Sequence, residues 1–314
     1  MRFFASKKYE WIVEGGIKAC FDQISHSALM DRVRARAGDK RVLGLVKAFL
    51  KSGILGEDGQ LRDTTAGTPQ GSILSPLLSN VALSVLDEYI ATGPGGPATT
   101  AWQRAKRRSR GLPNYRLSRY ADDWCLMVHG TRDDAEALRE KIAGVLSVMG
   151  LRLSPEKTLV THIDEGLDFL GWHIQRHRKR GASRCYVCTC PSRKALTAAM
   201  GKVKAIRRRT ATGLPLEDLL IQINRLLAGW CTYFRPGVPS AAFQYLRSCT
   251  WGQVMKWPRR KHRRITWKDL RRRYCEDGWW PAGEEPTPFD PGKVRTTRYR
   301  YRGTVIPSPW PASG

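Results

Sequence analysis

The stretch YRLSRYADDWCLMVH, residues 115–129, decides the fold. Two β-rich runs, 115–120 and 124–129, flank Ala121-Asp122-Asp123, and the whole reads as a hairpin. Adjacent carboxylates between apolar strands repel one another unless a cation or a basic partner offsets them. Hard oxygen ligands in such a place suit Mg²⁺, which takes one or two carboxylates plus substrate phosphates. Two such ions could activate a 3′-hydroxyl and stabilise a leaving pyrophosphate during an in-line displacement. An Asp-Asp pair is also acceptable turn chemistry, so the tetrapeptide YADD alone does not choose between these readings.

Outward from the hairpin, the pattern is mixed. Tyr9 to Glu14 has the composition of a short strand, and 26–35 and 39–50 show helical spacing of apolar residues. A turn-rich loop over 64–71, AGTPQG at its end, leads into a helix expected from Ser75 to Ile90. Small residues there let backbone approach a ligand closely, and Gln70 can hydrogen-bond a base or sugar; an ordinary loop before a buried helix fits equally well. Residues 93–113 are rich in Gly and Pro and then basic (RAKRRSRG), and read as a loop. A helix follows over 132–149, then short strands near 158–163 and 169–175. Strand, helices, hairpin, helix is an α+β order and not a doubly wound α/β sheet. After a hairpin around Cys185 to Cys190, helices are expected over 192–209, 216–234, 241–255 and 267–274, with an irregular tail from Trp279. The spacing Cys185-x2-Cys188-x-Cys190 is poor for structural zinc, and incidental cysteines are the better reading. His26 reads as a cap of the helix it begins.

Charge divides the chain. Of 54 Lys/Arg and 28 Asp/Glu, residues 1–175 hold 24 and 20, leaving 30 and 8 for residues 176–314. A net of +22 in the second part against +4 in the first places a polyanion-binding footprint there. Its densest segment, Trp251 to Cys275, sets ten Lys/Arg around three tryptophans against Asp269 alone. Cations neutralise phosphates with counterion release, and interleaved aromatics stack on bases or anchor the element to its own core. A composition of 41% hydrophobic residues excludes global disorder. No apolar run is long enough for a membrane span, and eight cysteines in a chain of this length do not make a disulfide scaffold, so no membrane and a cytoplasmic location are expected.

These blocks, in order, resemble the group II intron reverse transcriptase/maturase family. The resemblance is carried by WIVEGGIKACFDQISH (11–26), AGTPQGSILSPLLSNVAL (66–83), YADDW (120–124), SPEKT (154–158), LDFLGWHI (167–174) and INRLLAGWCTYF (223–234). It implies a right-hand polymerase palm on a ferredoxin-like antiparallel sheet, followed by an α-helical maturase, or thumb, domain. The expected divisions are a palm with partial fingers over 1–175, a basic linker and hairpin over 176–190, a maturase domain over 191–282 and a basic tail over 283–314. It further implies RNA-directed DNA synthesis with Mg²⁺, using an RNA template, a DNA primer and deoxynucleoside triphosphates, and binding to group II intron RNA to assist splicing. By resemblance Asp122 and Asp123 are the catalytic, metal-binding pair, and Phe21 stacks on the nucleotide sugar. Gln70 and Gly71 line the nucleotide and primer–template loop, with Lys157 in the block after the helix. RNA contacts are expected from Arg207, Arg208, Arg209, Arg259, Arg260, Lys261, Arg263, Arg264, Arg271, Arg272 and Arg273.

Two departures from the family pattern matter. The first catalytic aspartate is expected five residues before the aromatic, where this sequence has Gly16. Asp22, beyond the strand end, is not expected to replace it. The family also has fingers blocks before this strand, and with Trp11 so near Met1 the expectation is a truncated, degenerate or altered copy. Impaired polymerisation follows, and the alternative is a non-catalytic, RNA-binding maturase remnant.

Overall fold

The computed structural model describes residues 1–55, 61, 62, 66–69, 72–179, 181, 185–262, 264–276, 280, 281 and 288–297. It divides into two compact units, Met1–Gly166 and a second beginning at Leu167.

Unit 1 contains α1 (Arg2–Ala5), β1 (Trp11–Gly15), α2 (Cys20–Gln23), α3 (His26–Arg34), α4 (Lys40–Leu50) and the short pair β2 (Ile54–Leu55) and β3 (Leu61–Arg62). It continues with α5 (Ser75–Thr92), α6 (Ala101–Ser109), β4 (Asn114–Tyr120), β5 (Asp123–His129), α7 (Arg132–Ser147) and β6 (Leu159–His162). Its main sheet is antiparallel in the order β4-β5-β1-β6. Side chains alternate across a strand, so Val13 on β1 and Trp124, Leu126 and Val128 on β5 share one face. That face packs on Leu78, Ala82, Leu83 and Leu86 of α5 and on Ala135, Leu138, Ile142 and Leu146 of α7. Ile12, Cys125 and Met127 point the other way and are also fully buried. The chain's first residues cover them: Arg116, opposite Met127 in the ladder, lies 5.5 Å from the Phe4 ring and 5.6 Å from the Tyr9 ring. Burial on both faces explains why β5 reads as an unbroken apolar run.

This is the α+β arrangement expected, with α5 and α7 on one side of the sheet. Five of its elements, α1, α2, β2, β3 and α6, were not legible. Residues 101–109, inside the segment read as a loop, form α6, started by a capping box in which Thr100 accepts from the Gln103 backbone and the Gln103 side chain accepts from Thr100 N at 2.7 Å. The Gly- and Pro-rich run before it and its basic composition hid a helix that has no buried residue and hence no apolar period. The helix α1 was likewise too short to show a period.

Unit 2 contains β7 (Leu167–Phe169), β8 (Trp172–Arg178), β9 (Cys185–Pro191), α8 (Arg193–Arg209), α9 (Leu216–Phe234), α10 (Ser240–Lys261), α11 (Trp267–Tyr274), the pair β10 (Cys275–Glu276) and β11 (Trp280–Pro281), and a 3₁₀ turn at Pro291–Lys293. The strand expected over 169–175 is in fact two, β7 and β8, separated by Leu170 and Gly171, both with positive φ (50° and 78°). The division expected at 175 therefore falls inside β8, and the hairpin expected within the basic segment 176–190 is the antiparallel pair of β8 and β9, which begins before that segment. The reason is pairing: LDFLGWHI hydrogen-bonds to the strand after it and belongs with unit 2. Trp172 of β8 packs on Phe234 of α9, ring centroids 4.8 Å apart. Ala199, Val203, Leu219, Ile223, Leu227, Leu246, Val254 and Trp257 form the helical core. α10 runs past the expected end at Met255 and through Pro258. Fully buried Trp257, whose Nε1 donates to Thr210 O at 3.1 Å, anchors that last turn against the loss of one helix hydrogen bond at the proline.

Candidate polymerase-type site and nucleic-acid interface

The hairpin of unit 1 is tighter than its sequence suggested. Tyr120 pairs with Asp123, so the loop is only Ala121-Asp122, and Asp123 is the first residue of β5. Ala121 has φ 53°, a left-handed conformation that costs a non-glycine residue on the order of 1 kcal/mol and must be held by its surroundings. Arg119 holds it. Its Nη1 donates to Ala121 O at 2.8 Å and to Asn80 Oδ1 of α5 at 2.9 Å. Its Nε and Nη2 meet the two carboxylate oxygens of Asp87, also on α5, at 2.9 and 2.5 Å. This bidentate pair is largely buried, with side-chain exposures of 13% and 19%, and it clamps the turn to the helix. Sequence reading missed the brace, although a signal existed. Tyr115, Leu117 and Arg119 alternate onto the face that meets α5, and a cation on that face requires a carboxylate partner.

Asp122 is half-buried and Asp123 exposed. Their nearest backbone neighbour across the sheet is the end of β1: Gly15 pairs with Trp124, which sets Gly16 beside Asp123. Gly15 is required there, because a Cβ at that position would fall 1.9 Å from the Trp124 ring. The structure thus brings Gly16, Asp122 and Asp123 together. It brings Lys157 there as well. Ser154 N donates to Gly16 O at 2.9 Å and Lys157 N to Ser154 O at 3.1 Å, so the SPEKT turn docks on the strand end. The Lys157 stem then lies over Gly16: a Cβ at 16 would stand 2.9 Å from both Cβ and Cδ of Lys157.

Phe21 lies half-buried on α2, entered through Ala19 with φ 45°. Its carbonyl accepts from Thr68 N at 2.6 Å, and Ile24 O accepts from Gly67 N at 2.8 Å. Gly67, at φ 84°, allows this approach, since a Cβ would lie 2.6 Å from Phe21 O. His26 does not cap α3; Ser25 does, and His26 Nε2 donates to Gly67 O at 2.7 Å, which pins the same loop. Phe21 is therefore tied to the segment that leads to Gln70 and Gly71, which themselves lie outside the described residues. Cys20, one residue earlier, is buried against Ser79, and burial first, with the charges of Asp122 and Asp22 adding to it, pushes its thiol pKa up.

A pair of divalent ions is the group this motif set implies, and the donors present fall one carboxylate short of it: Asp122 and Asp123 remain. Among the described residues no three His, Cys, Asp or Glu side chains cluster to hold a metal. The position that would supply the third carboxylate is a glycine under a lysine stem. Asp22 is exposed on α2 and joins no such cluster.

In unit 2 the basic residues gather where α8 and α10 end. Arg260 Nη2 donates to Thr210 O at 2.9 Å and Lys261 Nζ to Leu214 O at 3.1 Å. Arg207 sits beside Arg208 and Arg260, and burial first, then those two like charges, lowers its pKa while it stays cationic. Arg208, Arg209, Arg259, Arg260, Lys261, Arg264, Arg272 and Arg273 are exposed. None of these exposed cations forms an ion pair with a carboxylate among the described residues. The Trp251 and Trp267 rings are near-parallel at 18°, with Arg259 5.0 Å from the Trp267 centroid and Arg271 5.8 Å from that of Trp251. Arg263 lies outside the described residues. The cysteine run is on β9, and His173 across from it is bonded to Asp168 at 2.7 Å.

Comparison with known proteins agrees with this layout. Residues 2–174 match the family described as reverse transcriptase (RNA-dependent DNA polymerase), and residues 196–275 match the group II intron, maturase-specific domain. Protein YkfC of Escherichia coli is 35% identical over 214 residues, which cover 62% of this chain and 56% of that protein. The group II intron-encoded protein LtrA of Lactococcus lactis is 29% identical over 261 residues, 68% of this chain and 40% of its own. A telomerase structure from Candida albicans aligns with 84% of this chain and 45% of its own at a TM-score of 0.40 and 13% identity. The chain thus spans about half the length of the curated relatives it matches. With the first match covering more than half of its residues and the second following in order, this chain belongs to the reverse transcriptase family, as a member of the group II intron reverse transcriptase/maturase type.

Proposed function

We propose that this chain binds group II intron RNA through the basic face of α8, α10 and α11 and assists its splicing, with RNA-directed DNA synthesis impaired. The observation that carries the RNA reading is the Arg207–Arg208–Arg260 cluster: like charges held side by side, without an ion pair to a carboxylate among the described residues, call for a polyanion. In the polymerase-type unit, Asp122 and Asp123 are the residues toward Mg²⁺, and Phe21, Gln70, Gly71 and Lys157 toward the deoxynucleoside triphosphate and the RNA template with its DNA primer. Gly16 is the reason for impairment. Removing one electrostatic contributor from such a centre commonly lowers turnover by about 10²–10³-fold. A cytoplasmic location belongs to the same reading; no described helix is long and apolar enough to cross a membrane.

The test is intron RNA binding across salt, beside primer extension by the same preparation. With six to ten phosphates neutralised, affinity should fall roughly 10³-fold or more between 50 and 200 mM salt, and R207E/R208E should weaken it at every salt concentration. A flat salt dependence would refute the RNA reading. Robust Mg²⁺-dependent incorporation, abolished by Asp122→Asn, would refute the impairment.

A further inference from the structure

Residues 93–121 hold seven Lys/Arg and no Asp/Glu. Some of these cations are consumed within unit 1. Arg104 donates to Thr99 O, Arg107 donates through Nε and Nη2 to Pro113 O at 3.2 and 2.8 Å, and Arg119 braces the hairpin. Asn114 Nδ2 returns a bond to Arg104 O at 3.2 Å, so α6 is fixed along the start of β4. Lys106, Arg108 and Arg110 are left exposed, with no ion pair among the described residues. Trp102, 68% exposed, lies one turn before Lys106, whose Nζ stands 4.9 Å from its ring centroid. Trp102, Lys106 and Arg110 recur at intervals of four and so form one outward stripe.

This helix buries nothing, yet its start is capped and its flanks are tied down by hydrogen bonds. A rigid row of cations with a bare indole at its head suits a strand of nucleic acid: the cations meet successive phosphates and the ring offers a face to a base. The apolar surface, one Trp and two Ala, is too small for a helix that lies in a membrane interface.

We propose that α6 is a second RNA-docking surface, carried on unit 1 and distinct from the basic face of unit 2. Lys106 and Arg110 neutralise phosphates of one strand, and an unpaired base stacks on the open face of Trp102. The proposal rests on the reading of the chain as an RNA-binding protein and adds a surface to it.

The experiment uses the full chain and fluorescence anisotropy with labelled RNA of about 16 nucleotides, single-stranded or duplex. Trp102→Ala should weaken single-strand binding about tenfold or more and leave duplex binding within about twofold, because stacking requires an unpaired base. K106E/R110E should weaken both and make the slope of log K against log salt shallower by about 1.4, for two phosphates on a single strand. Neither set should lower the melting temperature, since α6 has no buried side chain. Unchanged single-strand affinity in Trp102→Ala, or equal losses on single strand and duplex, would overturn the stacking site. If only R207E/R208E lowers RNA affinity, α6 is not an RNA surface while the function proposed above stands. If the unaltered chain binds no RNA, both fall. Trp102-dependent binding to phosphatidylserine vesicles, with RNA affinity unaffected, would assign the helix to lipid and overturn it as well.

Discussion

Gly16→Asp restores the carboxylate that the family pattern expects, and the structure says it will be destabilising on its own. The new Cβ would stand 2.9 Å from Cβ and Cδ of Lys157 and 3.5 Å from Cγ. The exposed outer stem can swing away, but the Lys157 Cβ moves only if its turn moves, and that turn is bonded to Gly16 O through Ser154 N at 2.9 Å. Overpacking of this kind costs about 1–3 kcal/mol. A third carboxylate about 5 Å from Asp123 adds on the order of 1 kcal/mol of repulsion at the high dielectric of an exposed turn. Removing a glycine whose φ is not in the left-handed region returns about 0.4–1 kcal/mol through the unfolded chain. The net is a loss of about 1–3 kcal/mol, or a melting temperature lower by roughly 2–12 °C for a unit of this size. Lys157→Ala removes the Cδ and Cγ contacts and leaves the Cβ contact, so G16D/K157A should recover about half the loss, a coupling near 1 kcal/mol in a double-mutant cycle. The double variant should also gain stability with added Mg²⁺, up to about 2.7 kcal/mol at a hundredfold excess over its Kd, where the unaltered chain gains little. The assay is calorimetry of the four proteins with and without the ion. Gly16→Asp as stable as the parent, or additive effects of the two substitutions, would refute the steric argument.

Arg119→Ala should lower stability by about 3–5 kcal/mol in urea unfolding, because Asp87 is left largely buried without its cation; Arg119→Lys should recover little, since an ammonium cannot bridge Asp87, Asn80 and Ala121 together. Gly15→Ala should be at least as damaging as Gly16→Asp, because its Cβ would meet a buried, immovable indole at 1.9 Å and not a lysine stem; a melting temperature within a degree or two of the parent would contradict this. Burial pushes the Cys231 thiol up to about 12, so the folded state keeps a proton that the unfolded chain releases above about pH 9. Its share of the stability should then be fully present below pH 9 and fall by up to about 1.4 kcal/mol per pH unit toward 12; burial raises the Cys125 thiol as well, so Cys231→Ala should make the decline in alkaline melting curves shallower by that share without removing it.

The elements legible in the sequence are those whose signal is local. β-rich composition marked β1, β4 and β5, with β5 an unbroken apolar run because both its faces are buried, and period 3.6 marked α5, α7, α8, α9 and α11, because each of these helices buries one stripe that repeats within a few residues. Motif order identified the family and placed Asp122 and Asp123 on one hairpin. A site residue's partner is a different matter. Arg119 and Asp87 are 32 positions apart, and Lys157 reaches Gly16 only after α5, α6, β4, β5 and α7 have intervened. No period or turn rule connects such pairs; only the register of β1 with β5 and the docking of the SPEKT turn do.

By itself, then, the sequence determined that this is an α+β chain with a basic second half, paired aspartates in a turn and a glycine where a carboxylate belongs. Tertiary structure decided that a lysine stem lies over that glycine, that an arginine braces the strained turn, and that a basic segment without apolar period is a fixed helix. The physical reason is that composition and period report on each segment's own burial, whereas the chemistry of a site depends on which distant segments the packed sheet brings within a few ångströms.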